Sequence, residues 1–123
     1  MSGRISFRGG KFCRKNDENV FLLTGDLGFS VFEDIKNNFG SQYINMGIAE
    51  QNMIGVASGL AMTGKKVYVY SIIPFLLYRA FEQIRNDVCY QNLPIKLVGV
   101  GAGYTYSDAG DKIVKFGSEL SIP

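Results

Sequence analysis

Histidine and tryptophan are absent from this chain of 123 residues, and only two cysteines are present. Without histidine the chain cannot by itself form a Ser-His-Asp triad, a Cys-His pair or a metal site with imidazole ligands. Cys13 and Cys89 lie far apart and form no CxxC pair. Together with the lack of a signal-like apolar segment, this spacing leads us to expect two free thiols in a reducing, cytoplasmic setting.

Long apolar runs and a strong charge of either sign are also missing. The apolar segment 72–78 is much too short to span a bilayer. Thirteen basic residues against 11 acidic ones give a net charge of +2, which is too small to indicate a nucleic-acid or membrane partner. With 46% apolar residues, the composition is that of one soluble globular domain.

Short apolar runs alternate with longer segments of helical spacing. This alternation predicts an α/β fold, in which a parallel sheet with flanking helices forms three layers. A sheet of four strands is thin, and its edges favour a partner chain. The predicted strands are 20–24, 43–46, 67–71 and 95–100, and the predicted helices are 30–38, 49–63 and 75–91.

The two ends of the chain differ from its middle. Residues 1–16 follow neither the helical nor the strand period, and residues 111–123 add at most one brief strand. We therefore predict a domain over 17–110, preceded by a poorly patterned segment and followed by a divergent tail.

Ligands of open α/β sheets bind at the carboxyl ends of the strands, and the sequence places three loops there. Asp26 follows the first predicted strand, Glu50 follows the second in the first turn of a helix, and the glycine-rich segment 101–110 follows the fourth. A glutamate in a first helical turn can simply complement the helix dipole, and an aspartate after a strand can simply form a turn. The residues alone leave these interpretations open beside a functional one.

Aromatic and charged residues begin the third predicted helix. Phe75 and Tyr78 lie one helical turn apart, a pattern that favours core packing. Arg79, Glu82 and Arg85 are expected to be solvated or interface charges rather than catalytic groups.

Four segments resemble one known family in consistent order. Segment 45–53, with its Gly-Ile-Ala-Glu-Gln run, is similar to the signature of the transketolase family of thiamine-diphosphate enzymes. Segments 23–28, 79–85 and 101–110 resemble other parts of the family's pyrimidine-binding domain. The resemblance covers residues 17–110 and implies an incomplete thiamine-diphosphate pyrimidine-binding fold.

This resemblance implies a cofactor, thiamine diphosphate, held between two domains. One domain holds the diphosphate with Mg²⁺ or Ca²⁺, and the other holds the aminopyrimidine. The glutamate that matches Glu50 hydrogen-bonds pyrimidine N1′ and promotes the 4′-imino tautomer, which removes the C2 proton of the thiazolium to give the ylide. Phe75 matches a residue that stacks on the pyrimidine, and Asp26 one that faces the thiazolium. The cofactor-binding positions implied for this chain are Asp26, Ile48, Glu50, Ile72, Phe75 and Tyr78.

The sequence also departs from the family pattern. After the late glycine-rich loop the family has a Thr-His pair that reaches the substrate, whereas this chain has Asp111 and Lys112. The remaining strands and the diphosphate-binding domain are not in this sequence. We expect either a split or interrupted reading frame or a natural short subunit, inactive alone. It would need a diphosphate-binding partner, in a dimer or heterotetramer.

The sequence is compatible with three functions. The leading one is the pyrimidine-binding half of a transferase that carries out ketol transfer between sugar phosphates or a related acyloin condensation. The second is an inactive fragment or interaction module that keeps the dimerisation surface. The third is the β-type subunit of a 2-oxoacid dehydrogenase, which shares the fold and the cofactor.

Overall fold

The computed structural model describes residues 17–27, 36–37 and 40–101, together with the backbone of residues 6–8 and 11–13. Most of the helix predicted over 30–38, nearly all of the glycine-rich loop at 101–110 and the tail at 111–123 lie outside the described residues. The domain boundaries at 16 and 110 therefore stay predictions.

A short hairpin precedes the main sheet. Strand β1 (Ser6–Arg8) pairs antiparallel with β2 (Lys11–Cys13), with Phe7 opposite Phe12. The residue pattern did not predict this hairpin, because strands of three residues are too short to show a period. The dipeptide Gly9-Gly10 that separates them is nevertheless of the kind that two-residue hairpin turns favour.

Four parallel strands form the main sheet, as the sequence predicts. In sequence order they are β3, β4, β5 and β6, and in the sheet they are arranged β4-β3-β5-β6. The α/β fold class is thereby confirmed. The strand bounds are Val20–Thr24 for β3, Tyr43–Asn45 for β4, Lys66–Ile72 for β5 and Lys96–Val100 for β6.

Helix α1 (Glu50–Met62) connects β4 to β5 and agrees with the predicted helix over 49–63. Thr63 caps its C-terminal end, and Gly64 follows with a φ of 85°, a left-handed conformation that glycine adopts without strain. Neither α1 nor any other helix among the described residues is long and apolar enough to cross a membrane.

The second helical segment, here called α2, spans residues 75–89 and is less regular than predicted. It consists of a π-helix (Phe75–Arg79), a short α-helix (Phe81–Gln83) and a second π-helix (Ile84–Cys89). Its buried side chains recur strictly every fourth residue, a repeat longer than the α-helical turn of about 3.6 residues. The wider π turns keep this apolar stripe facing the sheet. The stripe consists of Leu76, Ala80, Ile84 and Val88.

Both described helices pack on one face of the sheet. Alternation along β3 directs Leu23 towards them, whereas Val20 and Leu22 lie in a second apolar cluster with Tyr70 on the opposite face. Burial on both faces is typical of a strand at the centre of a three-layer fold. The helix expected on the second face is the one predicted over 30–38, which falls mostly outside the described residues.

The strand order determines where a ligand site can form. The chain leaves β3 for β4 on one side and then crosses through α1 to β5 on the other side. At such a reversal the loops that follow neighbouring parallel strands diverge and leave a crevice at the carboxyl ends of the strands. The described residues that directly follow β3, β4 and β5 lie at this edge of the sheet.

Candidate functional site

Glu50 is the first residue of α1 and has only 1% of its surface exposed. The free N–H groups of a first helical turn stabilise a negative charge there. A glutamate that served only to complement the helix dipole would keep its carboxylate in water, because burial of a charge is costly unless partners compensate for it. The burial of Glu50 therefore requires a more specific explanation.

Two side chains hydrogen-bond the Glu50 carboxylate, one on each oxygen. The Ser71 hydroxyl donates to Oε1 at 3.3 Å, and the Arg79 guanidinium donates from Nη1 to Oε2 at 2.7 Å. Ser71 lies near the end of β5, on the same face as the buried Val67 and Val69. The carboxylate is thus anchored to the sheet through one oxygen and to α2 through the other.

Gly25, directly after β3, forms a third wall of this site. A Cβ on Gly25 would lie 3.0 Å from Ser71 Oγ and 3.5 Å from Glu50 Oε1. A methyl group at position 25 would fit tightly against the Ser71 hydroxyl, which would have to shift by a few tenths of an ångström. The Oε1 side of the carboxylate is therefore closed by the sheet.

Arg79 bridges the buried carboxylate and an aromatic ring. Its guanidinium carbon lies 4.4 Å from the centroid of the Phe75 ring, within cation–π range, while its side chain stays 42% exposed. Arg79 is exposed, as expected of a solvated charge, but its guanidinium also binds Glu50, a contact that the sequence did not predict. Glu82 and Arg85, which carried the same expectation, are exposed.

Asp26 belongs to a separate network at the rim of the site. It adopts a φ of 55°, and its Oδ1 accepts a hydrogen bond from Nδ2 of Asn45 at 2.9 Å. The Oδ1 of Asn45 accepts in turn from the backbone N–H of Gly47 at 2.9 Å. One amide side chain therefore ties the loop after β3 to the loop that leads into Glu50.

The remaining residues suggested by the sequence lie at different depths. Ile72 ends β5 and is buried, and strand alternation places it on the opposite face from Ser71. Ile48 and Tyr78 are largely exposed. The structure thus brings Glu50 and Phe75 together through Arg79, with Asp26 on a neighbouring loop and Ile48 and Tyr78 facing outwards.

Sequence reasoning missed three participants in this site: Ser71, Asn45 and the pairing role of Arg79. Ser71 could have been found from strand alternation, since it continues the inward series of Val67 and Val69. Arg79 follows Phe75 by four residues, a spacing that brings side chains together on one side of a helix.

Comparison with known proteins agrees with this geometry. Residues 13–112 match the family of the transketolase pyrimidine-binding domain. The chain belongs to this family. Membership confirms the resemblance stated from the sequence and implies dependence on thiamine diphosphate. Among the described residues no group of three or more His, Cys, Asp or Glu side chains could hold a metal ion.

Two relatives of this pyrimidine-binding domain carry transketolase names. The chain is 43% identical over 97 residues to a Methanocaldococcus jannaschii protein whose name assigns it to the C-terminal section of a transketolase, a match covering 78% of this chain and 31% of that protein. It is 46% identical over 68 residues to a subunit of the apulose-4-phosphate transketolase of Actinobacillus succinogenes, covering 55% and 22% respectively.

A solved structure is similar as well. It is a split-gene transketolase described as an inactive β4 tetramer, with a TM-score of 0.63 and 41% identity, and the match covers 69% of this chain and 29% of that one. The chain thus spans less than a third of the length of each of these three relatives.

Proposed function

We propose that this chain supplies the pyrimidine-binding half of a thiamine-diphosphate-dependent transferase that carries out ketol transfer between sugar phosphates or a related acyloin condensation. The observation that carries the proposal is the buried carboxylate of Glu50 at the carboxyl ends of β3, β4 and β5. A buried charge is stabilised here at a position where it contributes nothing to the apolar core. Such arrangements are typical of functional sites.

The residues around Glu50 fit a flat, nitrogen-rich ring. Oε2 of the carboxylate is not bound by Ser71, which contacts Oε1. A planar group, the Arg79 guanidinium, already packs against the Phe75 ring. In the proposed complex Glu50 shares a proton with the ring nitrogen N1′, Phe75 stacks on the ring, and Ser71 holds the carboxylate in position. The bound cofactor supplies the carbon nucleophile that carries the ketol group.

The other residues at the rim have supporting roles in this proposal. Asp26, held by Asn45, faces the thiazolium side of the cofactor. Ile48 and Tyr78, which are exposed in the chain alone, would add apolar surface around the ring once the partner encloses the site, whereas Ile72, on the face of β5 opposite Ser71, would act only by supporting the end of that strand.

A partner subunit is part of the proposal. It supplies the diphosphate site with its Mg²⁺ or Ca²⁺, and the two chains assemble as a dimer or heterotetramer. Support comes from a relative whose name makes it one subunit of a transketolase and from a neighbour described as a split-gene transketolase. Exposed large apolar side chains near the site, at Ile48, Tyr78 and Phe81, offer surface for such a contact.

The test begins with purification of the tagged chain from its own host and identification of the proteins that accompany it. The complex is then rebuilt with wild type, with Glu50→Gln, and with Glu82→Gln as the matched control on an exposed glutamate. Glu50→Gln is expected to lower the rate of ketol transfer at least about 100-fold, because proton transfer contributes roughly that much or more. Glu82→Gln should leave the rate unchanged. A wild-type rate in Glu50→Gln would end the catalytic proposal.

An interaction module without activity is the second candidate, and the exposed Ile48, Tyr78 and Phe81 favour it. It predicts a stable complex with a partner in which Glu50→Gln changes nothing measurable. The transketolase names of the relatives favour the ketol transferase over the β-type subunit of a 2-oxoacid dehydrogenase.

A further inference from the structure

The two oxygens of the Glu50 carboxylate have different surroundings. Oε1 faces the sheet, where it accepts from Ser71 and lies 3.5 Å from the position of a Cβ on Gly25. Oε2 accepts from Arg79, whose side chain is 42% exposed. Oε2 is therefore the oxygen that a ligand would reach if Arg79 moved away.

The guanidinium of Arg79 makes both contacts that the proposed function assigns to the aminopyrimidine. It donates an N–H to the Glu50 carboxylate at 2.7 Å, and its guanidinium carbon lies 4.4 Å from the centroid of the Phe75 ring. A guanidinium and an aminopyrimidine are both planar and both carry N–H donors beside a conjugated carbon–nitrogen system. Two such groups cannot occupy the same space between Oε2 and Phe75.

We propose that Arg79 is an internal placeholder for the aminopyrimidine: it neutralises Glu50 in the cofactor-free chain and withdraws when the ring binds. This inference rests on the proposed function and adds a positioning residue to it. Because Arg79 is half-exposed, its charge can turn into solvent at little expense, whereas Glu50 is fully enclosed and cannot. Arg79 therefore compensates the charge of the buried carboxylate until a ligand replaces its contacts with Glu50 and Phe75.

Competition between Arg79 and the ring has a measurable consequence. The apparent affinity for the ring is reduced by the fraction of time that Arg79 occupies the site. Removal of the guanidinium should therefore strengthen binding of the aminopyrimidine, the opposite of what the loss of a direct binding contact would do.

The experiment uses the full chain and 4-amino-5-hydroxymethyl-2-methylpyrimidine as the probe, titrated in wild type, Arg79→Met and Arg85→Met and followed by NMR. Arg85→Met is the matched control, because Arg85 is an exposed arginine on the same helix. Arg79→Met is expected to bind the probe about tenfold more tightly than wild type. Arg85→Met should bind like wild type, and Glu50→Gln should abolish binding in both the wild-type and the Arg79→Met background. In wild type the side-chain nitrogen signals of Arg79 should move to those of a solvated arginine as the probe binds.

The outcomes separate this inference from the proposed function. Glu50-dependent binding that is equal or weaker in Arg79→Met overturns the placeholder and leaves the proposed function standing. Binding that ignores Glu50→Gln in both backgrounds counts against the proposed function instead. If the probe binds neither wild type nor Arg79→Met, the placeholder proposal is also wrong, because removal of Arg79 should leave Oε2 of Glu50 free to bind the probe. If Arg79→Met does not fold, the wild-type signals decide: an Arg79 that stays on Glu50 while the probe binds is not a placeholder.

Discussion

Gly25 and Ser71 approach each other so closely that a Cβ on Gly25 would lie 3.0 Å from the Ser71 hydroxyl oxygen. The contact joins the end of β3 to the end of β5, directly beside the Glu50 carboxylate. A side chain at position 25 would therefore press on the hydroxyl that holds the Glu50 carboxylate.

Gly25→Ala is accordingly expected to lower the free energy of unfolding by about 1 kcal/mol, the low end for an extra methyl in a filled space, because the Ser71 hydroxyl has only a short distance to move. Chemical denaturation measures the change. In a Ser71→Ala background the same substitution should be less damaging, since the hydroxyl that it meets is gone. Gly59→Ala is the control, an exposed helical glycine whose Cβ would meet nothing within 4 Å, and it should stabilise by about 0.5–1 kcal/mol. Equal effects at the two glycines would contradict the close approach.

Gly99 in β6 presents a second such contact, with the side chain of Ile73. A Cβ on Gly99 would overlap Cγ1 of Ile73, so Gly99→Ala must displace that side chain. We expect a loss of about 1–3 kcal/mol in unfolding free energy, measured by thermal or chemical denaturation. Ile73→Ala should remove most of this penalty in the double variant. Gly55→Ala, an exposed position on α1 with open space around it, serves as the control and should not destabilise.

Glu50 and Arg79 should respond unequally to mutation, because one is buried and the other is half-exposed. Arg79→Met leaves a buried carboxylate without its charged partner and is expected to lower the free energy of unfolding by roughly 1–3 kcal/mol. Glu50→Gln leaves behind an arginine that water can reach, so its effect should be smaller. In the Glu50→Gln background Arg79→Met should then have little further effect, as a double-mutant cycle by denaturation would show. Equal losses in the two single variants would mean that Glu50 is hydrated and not enclosed.

Asn45→Ala removes both hydrogen bonds that tie Asp26 to Gly47. These contacts are exposed, so the expected loss of stability is only about 0.5–1.5 kcal/mol. The more sensitive measurement is hydrogen exchange at the Gly47 amide, which should become faster once its acceptor is gone. Asn52→Ala, on the exposed side of α1, is the matched control and should leave Gly47 unchanged. Unaltered exchange in Asn45→Ala would show that the amide is protected by something other than Asn45.

The sequence predicted the two central strands well because β3 and β5 are buried on both faces. Runs such as 20–23 are continuously apolar, and such runs are distinctive even in a single sequence. The hairpin β1–β2 was missed because three-residue strands are too short to show alternation. The π turns of α2 were missed because apolar spacing alone hardly distinguishes them from α-helical turns.

The site was predictable only in part. The local sequence around Glu50 identified that residue through the family resemblance, but its partners Ser71 and Arg79 lie 21 and 29 residues further along the chain. Pairing of this kind is decided by tertiary packing rather than by any local pattern. For that reason Arg79 was interpreted as a surface charge, although its guanidinium reaches the most deeply enclosed carboxylate of the described residues.

The order of the strands implies that the site exists only when β4, β3 and β5 are paired. Gly25, Glu50 and Ser71 meet only after β3 has acquired a neighbour on each side, which requires α1 to have crossed from β4 to β5. A synthetic peptide of residues 45–62 would contain the whole recognisable signature and none of the pocket. The state of the Glu50 carboxylate can therefore serve as a reporter for completion of the sheet, because partly folded chains would leave it hydrated and without partners.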